Sequence, residues 1–284
     1  MLERLARLDR RWLFLAMALA IVVPLLWPLG FPAVPSPPVR AAFYAIDDIP
    51  EGAAVFVSVD VSPASLPELE PFYRASIAHL KSKKAKLVLV TLIYQAPPLV
   101  ERWIRETIEA PMFDGDRAYE KNVDYVWLGF REGKEIAIAN LGQDIWQTFG
   151  GQTADGTPIA DIPMMHGLRR LSDFALLNLV SEGFPGAKEY VQIVQSRYKL
   201  PMVATCTAVS TTDLAPYLAS GQLLGLAGGM GATAEYERMV RDLLPNARLG
   251  SGQRGLDVLN VGHLVIIASI FLGNLVYFAG RRRR

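Results

Sequence analysis

Polar side chains follow several apolar runs of the sequence, where the carboxyl ends of parallel strands are expected. The first run ends at Asp60, the second precedes Gln95, and a later one precedes Ser181. Open α/β sheets bind ligands at these strand ends, where loops and helix N-termini converge. The candidate ligand-binding residues are Asp60, Ser62, Gln95, Ser181, Glu182, Gly183, Gly186 and Lys188, with Thr207 and Ser210 after a further run.

The loop at residues 181–188 has the sequence SEGFPGAK and lies at the expected entrance to a helix. Glycine allows close backbone approach, so the first-turn amides and Lys188 could hold a carboxylate or a phosphate. The alternative is an ordinary strand-to-helix turn, because the loop matches neither the Walker nor the dinucleotide-binding pattern. The sequence favours that alternative.

Asp60 ends the first predicted strand, a position suited to a metal ligand, a nucleophile or an acceptor of sugar hydroxyls. It could equally cap the following helix together with Ser62 and Ser65. No second carboxylate is tied to Asp60 by spacing, and the sequence has no Gly-x-Ser-x-Gly elbow. The sequence therefore specifies neither a reaction nor a cofactor.

Gly221, Gly225 and Gly229 recur every four residues within an uncharged stretch, residues 221–234. At helical spacing they share one face, which predicts a packing seam where a neighbouring helix approaches closely. A glycine-rich anion loop or a flexible segment is the alternative, since each glycine costs a helix about 1 kcal/mol.

Composition excludes several classes of protein. Of 284 residues, 51% are hydrophobic and 20% are charged, and the formal net charge is +1. The chain is too apolar for disorder, and no global basic field indicates nucleic-acid binding. Cys206 is the only cysteine, and the three histidines occupy unrelated contexts. We therefore expect neither a disulfide framework nor a metal site.

Two uncharged apolar runs predict transmembrane helices on either side of one soluble domain. Residues 12–34 supply the roughly 20 apolar residues that a bilayer crossing requires, and prolines then end that helix. Residues 258–280 form the stronger span. A cleaved signal peptide is the alternative for the first run, although that run exceeds the usual apolar region of about 7–15 residues.

Arginine placement predicts that both termini are cytoplasmic. Eight arginines lie outside the two spans, and three lie near the spans on the domain side. Because cationic flanks resist translocation, the domain is expected on the extracytoplasmic side of the cell membrane. A cytoplasmic domain is the competing hypothesis, since nucleotide-binding α/β folds are usually intracellular.

Between the spans, short apolar runs alternate with amphipathic stretches. Strands are predicted at residues 53–61, 86–94, 123–130, 135–140, 174–180 and 202–209. Helices are predicted at residues 66–80, 97–110, 186–198 and 213–244. Apolar strands alternating with helices are typical of a parallel sheet covered on both faces. Residues 149–171 lack a clear period and predict a long surface excursion.

We therefore predict an α/β fold, with a doubly wound, mostly parallel sheet of the Rossmann-like or flavodoxin-like type, flanked by N- and C-terminal transmembrane helices. The predicted organisation is a cytoplasmic tail and first helix (1–34), a proline-rich linker (35–50), the α/β domain (51–244), a second linker (245–257), and the second helix with its basic tail (258–284).

Three segments carry a resemblance to a family of membrane-anchored bacterial and archaeal proteins with an α/β domain and no assigned activity. They are PLVERWIRE to VDYVWLGF, DGTPIADIPMMHG and YLASGQLLGLAGGMGATAEYE. The resemblance covers residues 50–240. It implies a dedicated membrane partner and supplies no catalytic residues.

Two functional hypotheses follow. The first is a non-enzymatic, membrane-anchored α/β module that binds a ligand or partner within a membrane assembly, with another integral membrane protein or a second copy as partner. The second is a membrane-tethered hydrolase or transferase that uses Asp60 and residues 181–188. A pocket in which Asp60, Glu182 and a further acid or metal meet would favour the second hypothesis.

Overall fold

The computed structural model describes residues 9–281, and these fall into two compact units. The first unit comprises residues 9–33 together with residues 253–281. The second unit comprises residues 34–252 and contains the whole sheet.

Six parallel strands form one sheet in the order β3-β2-β1-β4-β5-β6. The strands are β1 (Ala54–Asp60), β2 (Lys86–Thr91), β3 (Tyr125–Phe130), β4 (Leu176–Ser181), β5 (Met202–Cys206) and β6 (Gly225–Gly228). The chain winds outward in both directions from the central pair β1 and β4, which is the Rossmann order. The predicted doubly wound parallel sheet is confirmed, in its Rossmann-like form.

Helices cover both faces of the sheet. One face packs against α2 (Pro37–Asp47), α3 (Leu66–Ser82), α4 (Pro97–Trp103) with its π-helical continuation (Ile104–Ile108), and α10 (Gly229–Leu243). The other face packs against α5 (Glu135–Gln143), α6 (Ile145–Thr148), α7 (Ala187–Tyr190) with the π-helical segment Val191–Gln195 and α8 (Ser196–Tyr198), and α9 (Thr211–Ala219). Each central strand therefore buries its side chains on both sides, as its unbroken apolar sequence predicts.

One predicted strand is wrong. Residues 135–140 belong to helix α5. Ile138 is buried in the core while Ile136 is 71% exposed, as expected for two sides of a helix. The predicted helical stretch at residues 213–244 is interrupted by β6, which separates α9 from α10.

The predicted linker at residues 35–50 contains helix α2. Pro37 and Pro38 occupy its first turn, where the missing amide costs nothing and the fixed φ angle favours the helix. Val39, Ala42 and Ile46 are fully buried against the sheet. This segment is therefore part of the folded domain.

The excursion at residues 149–171 is confirmed as irregular structure. Short 3₁₀ turns at Ile159–Asp161 and Pro163–Met165 lie within it, and Leu171–Asp173 begins at its end. Ile159, Ile162 and Met165 are buried against the sheet, so the segment is tied down along its length.

The first unit contains helices α1 (Arg10–Leu26) and α11 (Gly252–Arg281), although Gly252 itself belongs to the second unit. Residues 252–275 of α11 are long and apolar enough to cross a membrane. Within residues 9–281, no other helix meets both criteria. Helix α1 has 17 residues, contains Pro24 and ends at Leu26 before Pro28, and it is not among the helices long and apolar enough to cross a membrane. At about 1.5 Å per residue, α1 is shorter than a hydrocarbon core of about 30 Å.

The segment after α1 is bound to α11 through one carboxylate. The Asp257 side chain accepts hydrogen bonds from the backbone amides of Leu29 (2.8 Å), Gly30 (3.0 Å) and Phe31 (2.9 Å). The Gln253 side chain donates to the Phe31 carbonyl at 2.8 Å. The amides of Leu29, Gly30 and Phe31 lie outside any helix or strand, so Asp257 supplies their hydrogen-bond acceptor.

The two ends of the second unit meet on helix α10. The amide and hydroxyl of Ser36 donate to the Glu235 carboxylate at 2.9 and 2.7 Å. The amide of Gly252 donates to the Glu237 carboxylate at 2.9 Å. The chain therefore enters and leaves the sheet domain beside α10, at two contact residues that are two positions apart on that helix.

Candidate functional site

The strand order reverses between β1 and β4, and this switch point brings two predicted site residues together. Asp60 ends β1, Ser181 ends β4, and the two residues are partners in the parallel ladder. The Glu182 amide continues this pairing by donating to the Asp60 carbonyl at 2.9 Å. Ligands of open α/β sheets bind in the crevice beside such a reversal.

The Asp60 carboxyl group is enclosed at the switch point and is 1% exposed. It accepts hydrogen bonds from the Ser58 hydroxyl and the Leu92 amide, both at 2.6 Å, and a longer one from Thr91 at 3.4 Å. Burial raises the pKa of Asp60 from 3.8 to about 7, although these hydrogen bonds oppose the rise. The carboxyl group can therefore gain or lose a proton near neutral pH.

A buried chain of hydroxyls leads from Asp60 to helix α7, on the same face of the sheet. The Tyr190 hydroxyl of α7 donates to Ser58 Oγ at 3.1 Å, and Ser58 Oγ donates to Asp60 Oδ2. The sequence analysis missed Ser58 and Tyr190. Ser58 could have been predicted from its spacing to Asp60, because residues two apart on a strand project from the same face.

Glu182 joins the two strand ends to their neighbours. Its carboxylate accepts from the Ser62 amide at 2.7 Å, and its carbonyl accepts from the hydroxyls of Thr207 (3.0 Å) and Ser210 (3.2 Å). The loops after β1, β4 and β5 are thereby linked. The carboxylate of Glu182 also contributes to the raised pKa of Asp60 through charge repulsion.

The proposed anion site in the loop at residues 181–188 is filled by the protein's own groups. The Gly186 amide donates to the Glu189 carboxylate at 2.8 Å, and the Ala187 amide donates to Ser181 Oγ at 3.3 Å. A Cβ on Gly186 would lie 1.7 Å from Ser181 Oγ, so glycine is required for this packing. The first turn therefore holds internal acceptors in place of a bound anion.

A cavity of about 260 Å³ opens between the ends of β4 and β5. Lys188 stands on its wall and forms an ion pair with Asp213 at 3.3 Å. Burial raises the pKa of the Cys206 thiol to about 11, so that side chain is a neutral wall of the cavity. Its lining residues are Ser181, Gly183, Phe184, Ala187, Lys188, Glu189, Cys206, Ser210, Asp213 and Leu214.

The predicted site residues therefore separate into three groups. Ser181, Gly183 and Lys188 line the cavity, whereas Asp60, Ser62 and Glu182 belong to the hydrogen-bonded switch point beside it, and Gly186 packs beneath the loop. Gln95 is exposed after β2, and its amide donates to the Tyr94 hydroxyl at 2.7 Å. Cys206, Glu189 and Leu214 were missed because their positions only converge once the strands pair.

The three glycines of the predicted packing seam do not share a helical face. Gly221 lies in a turn, with φ +73° and open space around it, Gly225 lies in β6, and Gly229 is the first residue of α10, with φ +75°. Gly225 approaches Ala42 most closely, and a Cβ on Gly229 would lie 3.0 Å from the Ala208 Cβ, so both neighbours belong to the same domain. The prediction that these glycines form one helical packing surface for a partner is therefore wrong.

Within residues 9–281, no group of three or more His, Cys, Asp or Glu side chains is arranged to hold a metal ion. No protein-family model, curated protein or solved structure matches the chain. The assignment of function therefore rests on the geometry of the described residues.

Proposed function

We propose that this protein is a membrane-anchored α/β module that binds a small polar ligand in the cavity between the ends of β4 and β5. The observation that carries the proposal is the position of that cavity at the carboxyl edge of a Rossmann-order sheet, beside the switch point. Sites of this fold class lie at this edge because the loops that follow the strands converge there.

The lining favours a ligand with hydroxyl or amide groups over an anion. Ser181 and Ser210 offer hydroxyl oxygens that can accept from a ligand, because their protons are donated to the carbonyls of Gly183 and Glu182, while the Lys188 ammonium is already paired with Asp213. Glu189 adds a further carboxylate, so the charged groups of the lining sum to a negative value. A phosphate would meet repulsion and would find the first-turn amides occupied.

Binding is supported better than catalysis. The tethered hydrolase or transferase requires Asp60 and Glu182 to meet in one pocket with a further acid or a metal. Neither residue lines the cavity, and the Asp60 carboxyl is enclosed by three donors from its own sheet. These contacts hold the strand ends in register and leave the carboxyl group out of reach of a ligand.

We further propose two membrane passes, with both termini in the cytoplasm and the sheet domain outside. Three observations support a paired hairpin: residues 12–34 carry no charge, Trp12, Phe14 and Leu19 are exposed, and Asp257 binds the amides of residues 29–31. Non-helical backbone is tolerated near lipid when its amides are bonded in this way. The meeting of Ser36 and Gly252 on α10 agrees with neighbouring passes.

A membrane partner completes the proposal. Another integral membrane protein or a second copy of the chain would pack against the apolar side chains of α1 and α11. These two helices carry large apolar residues that are widely exposed within the described chain.

Native mass spectrometry of the full chain in mild detergent tests the ligand and partner together. We expect an added small-molecule mass on the wild-type protein that is lost in Ser210→Leu, which fills the cavity, and kept in Ser220→Leu, which alters an exposed turn. A bound mass that survives Ser210→Leu, or a protein that carries no ligand, would overturn the assignment of this cavity.

Cysteine labelling in intact cells tests the topology. Cys206 is first replaced by serine, and Ala160→Cys then places a single thiol on an exposed loop of the domain. We expect an impermeant maleimide to label this thiol in intact cells. Labelling only after lysis would place the domain in the cytoplasm.

A further inference from the structure

The hydroxyl chain formed by Asp60, Ser58 and Tyr190 is closed to solvent along its length. Asp60 is 1% exposed, and Ser58 and Tyr190 are fully buried. The ring of Tyr190 packs against Phe56, with 6.3 Å between the ring centroids, and this contact fixes the position of its hydroxyl. No ligand reaches these three groups directly, so any effect they have on a ligand passes through the protein.

When Asp60 is ionised, every proton of the chain has an acceptor. Asp60 Oδ1 accepts from the Leu92 amide and Oδ2 accepts from the Ser58 hydroxyl, both at 2.6 Å. Ser58 Oγ in turn accepts from the Tyr190 hydroxyl at 3.1 Å. Burial raises the pKa of Tyr190 well above its usual value, so Tyr190 remains a donor. The carboxylate therefore sets the direction in which both hydroxyls point.

A proton taken up from solvent reverses this direction. On the Oδ1 side the nearest hydroxyl is Thr91 at 3.4 Å, against 2.6 Å for Ser58 on the Oδ2 side, so the added proton lies on Oδ2 and is donated to Ser58 Oγ. The Ser58 hydroxyl then turns towards the Tyr190 oxygen. Within residues 9–281, Ser58 Oγ is the only hydrogen-bond partner of the Tyr190 hydroxyl, so the Tyr190 proton loses its acceptor. A buried donor without an acceptor is unfavourable.

The surroundings of Asp60 contain few charges. The groups that act on its carboxyl are Ser58 of β1, Thr91 and the Leu92 amide at the end of β2, Glu182 after β4, and Tyr190 of α7. Glu182 and Tyr190 are the titratable members of this set, and of these Glu182 is charged at neutral pH. Burial and the repulsion from Glu182 raise the pKa of Asp60 to about 7, so both states of the chain occur near neutral pH.

Tyr190 is the last residue of α7, and the residues just before it form part of the cavity wall. Ala187, Lys188 and Glu189 line the cavity between the ends of β4 and β5. After Tyr190 the chain continues into the π-helical segment Val191–Gln195, a geometry found frequently at functional sites. A change in the bonding of Tyr190 therefore acts on the backbone that carries these lining residues.

We propose that Asp60, Ser58 and Tyr190 form a protonation switch that controls the order of α7. The ionised state holds Tyr190 and keeps α7 in place, whereas the protonated state releases Tyr190 and loosens α7. The consequence for a ligand rests on the proposed function of the cavity: binding should weaken when Asp60 is protonated. The switch itself is a property of the protein without a ligand.

Hydrogen exchange of the full chain in detergent, with no ligand added, tests the switch. The rates are corrected for the intrinsic pH dependence of amide exchange. We expect the amides of residues 187–195 to exchange at least tenfold faster at pH 6 than at pH 8, and those of β3 to show no such change. Infrared difference spectroscopy over the same interval should show the carbonyl stretch of a protonated carboxyl group that is absent in Asp60→Asn.

Asp60→Asn reproduces the protonated state, because its amide nitrogen donates to Ser58 Oγ while its oxygen accepts from the Leu92 amide. The α7 amides of this variant should exchange rapidly at both pH values. Tyr190→Phe has no hydroxyl proton to leave unpaired, so its α7 exchange should not depend on pH although Asp60 still titrates in the infrared spectrum. Tyr94→Phe is the matched control, since Tyr94 is 73% exposed, and should behave as the wild type. Thermal midpoints establish that each variant is folded.

Equal exchange of the α7 amides at pH 6 and pH 8 in the wild type, or a pH effect that persists in Tyr190→Phe, would overturn the switch. An infrared band that does not change between these pH values would overturn it as well. Failure to find a ligand in the cavity between β4 and β5 is a separate result, since it removes the consequence for binding and leaves the exchange of α7 to decide the switch.

Discussion

Gly225 of β6 lies directly against the backbone of Ala42 in α2. A Cβ atom built on Gly225 would be 2.1 Å from the Ala42 amide nitrogen and 2.3 Å from its Cα atom. No side chain fits this space, so helix and strand must separate if glycine is replaced. The contact fastens α2 to the edge strand of the sheet.

Gly225→Ala is therefore expected to destabilise the domain. Overpacking of this kind costs about 1–3 kcal/mol, which for a domain of this size lowers the thermal midpoint by about 3–10 °C. Circular dichroism of the full chain in detergent measures the midpoint. Gly183→Ala is the control, since a Cβ there meets only Ser210 Oγ at 3.9 Å, and its midpoint should be unchanged.

The same variant distinguishes an internal contact from a partner surface. If Gly225→Ala or Gly225→Leu kept the wild-type midpoint and lost a co-purifying subunit, the glycine would face a partner and the contact with α2 would be wrong. The observed distance to Ala42 predicts the opposite result.

The apolar strands could be predicted because their sequences are unbroken runs of Val, Leu and Phe that a two-sided sheet must bury. The strands that end at Asp60 and Ser181 were predicted in the same way, whereas their pairing at the switch point follows only from the strand order of the sheet. Strand β6 could not be found in the same way, since its sequence GLAG has no β-branched residue and lies inside a glycine-rich stretch.

Helix α2 was missed for a different reason. A cluster of prolines predicts an extended linker unless the last of them begin a helix, and only the burial of Val39, Ala42 and Ile46 decides between these outcomes.

Asp60→Asn is expected to gain stability relative to the wild type as the pH rises. The folded state raises the pKa of Asp60 from 3.8 to about 7, so it retains a proton that the unfolded chain releases. The stability that the protonated Asp60 carboxyl group contributes to the folded state is fully present below pH 3.8 and is lost as the pH rises to about 7. Asparagine is never charged and avoids this loss.

The measurement is the difference in unfolding free energy between Asp60→Asn and wild type from pH 5 to pH 8. It should shift in favour of the variant by about 2–3 kcal/mol, at 1.36 kcal/mol per pKa unit. Ser62→Ala, which retains the backbone amide bound by Glu182, is the control and should show no such shift. A difference independent of pH would show that Asp60 is ionised throughout.

His79 has the opposite pH dependence. It is buried in α3 between the Tyr236 hydroxyl at 3.0 Å and the Asp47 carboxylate at 3.3 Å. Desolvation lowers the pKa of His79 from 6.5 to about 4, despite the favourable interaction with Asp47. Its contribution to stability is present above pH 6.5 and is lost as the pH falls towards 4.

His79→Gln should remove this loss, because glutamine does not take up a proton in the unfolded state. Between pH 6.5 and 4.5 the wild type should lose about 2 kcal/mol relative to the variant. His166→Gln is the control, since His166 is exposed and should leave the pH profile unchanged. A difference between wild type and His79→Gln that did not vary with pH would mean that the pKa of His79 is the same in the folded and unfolded states, against this prediction.

Asp257→Ala is expected to release the segment that follows α1. The carboxylate is the acceptor for the amides of Leu29, Gly30 and Phe31, and hydrogen bonds to a charged group contribute about 1.5–3 kcal/mol each. Removing it leaves three amides without a partner where the sequence has no charge. Hydrogen exchange of residues 29–31 in detergent should therefore accelerate at least tenfold.

Asp257→Asn should give an intermediate rate, because its single carbonyl oxygen can accept from only some of these amides. Exchange within α1 is the internal control, since residues 13–23 are bonded within their own helix and should be unaffected. Unchanged exchange at residues 29–31 in Asp257→Ala would show that these amides have other partners, and it would remove the main structural support for a paired membrane hairpin.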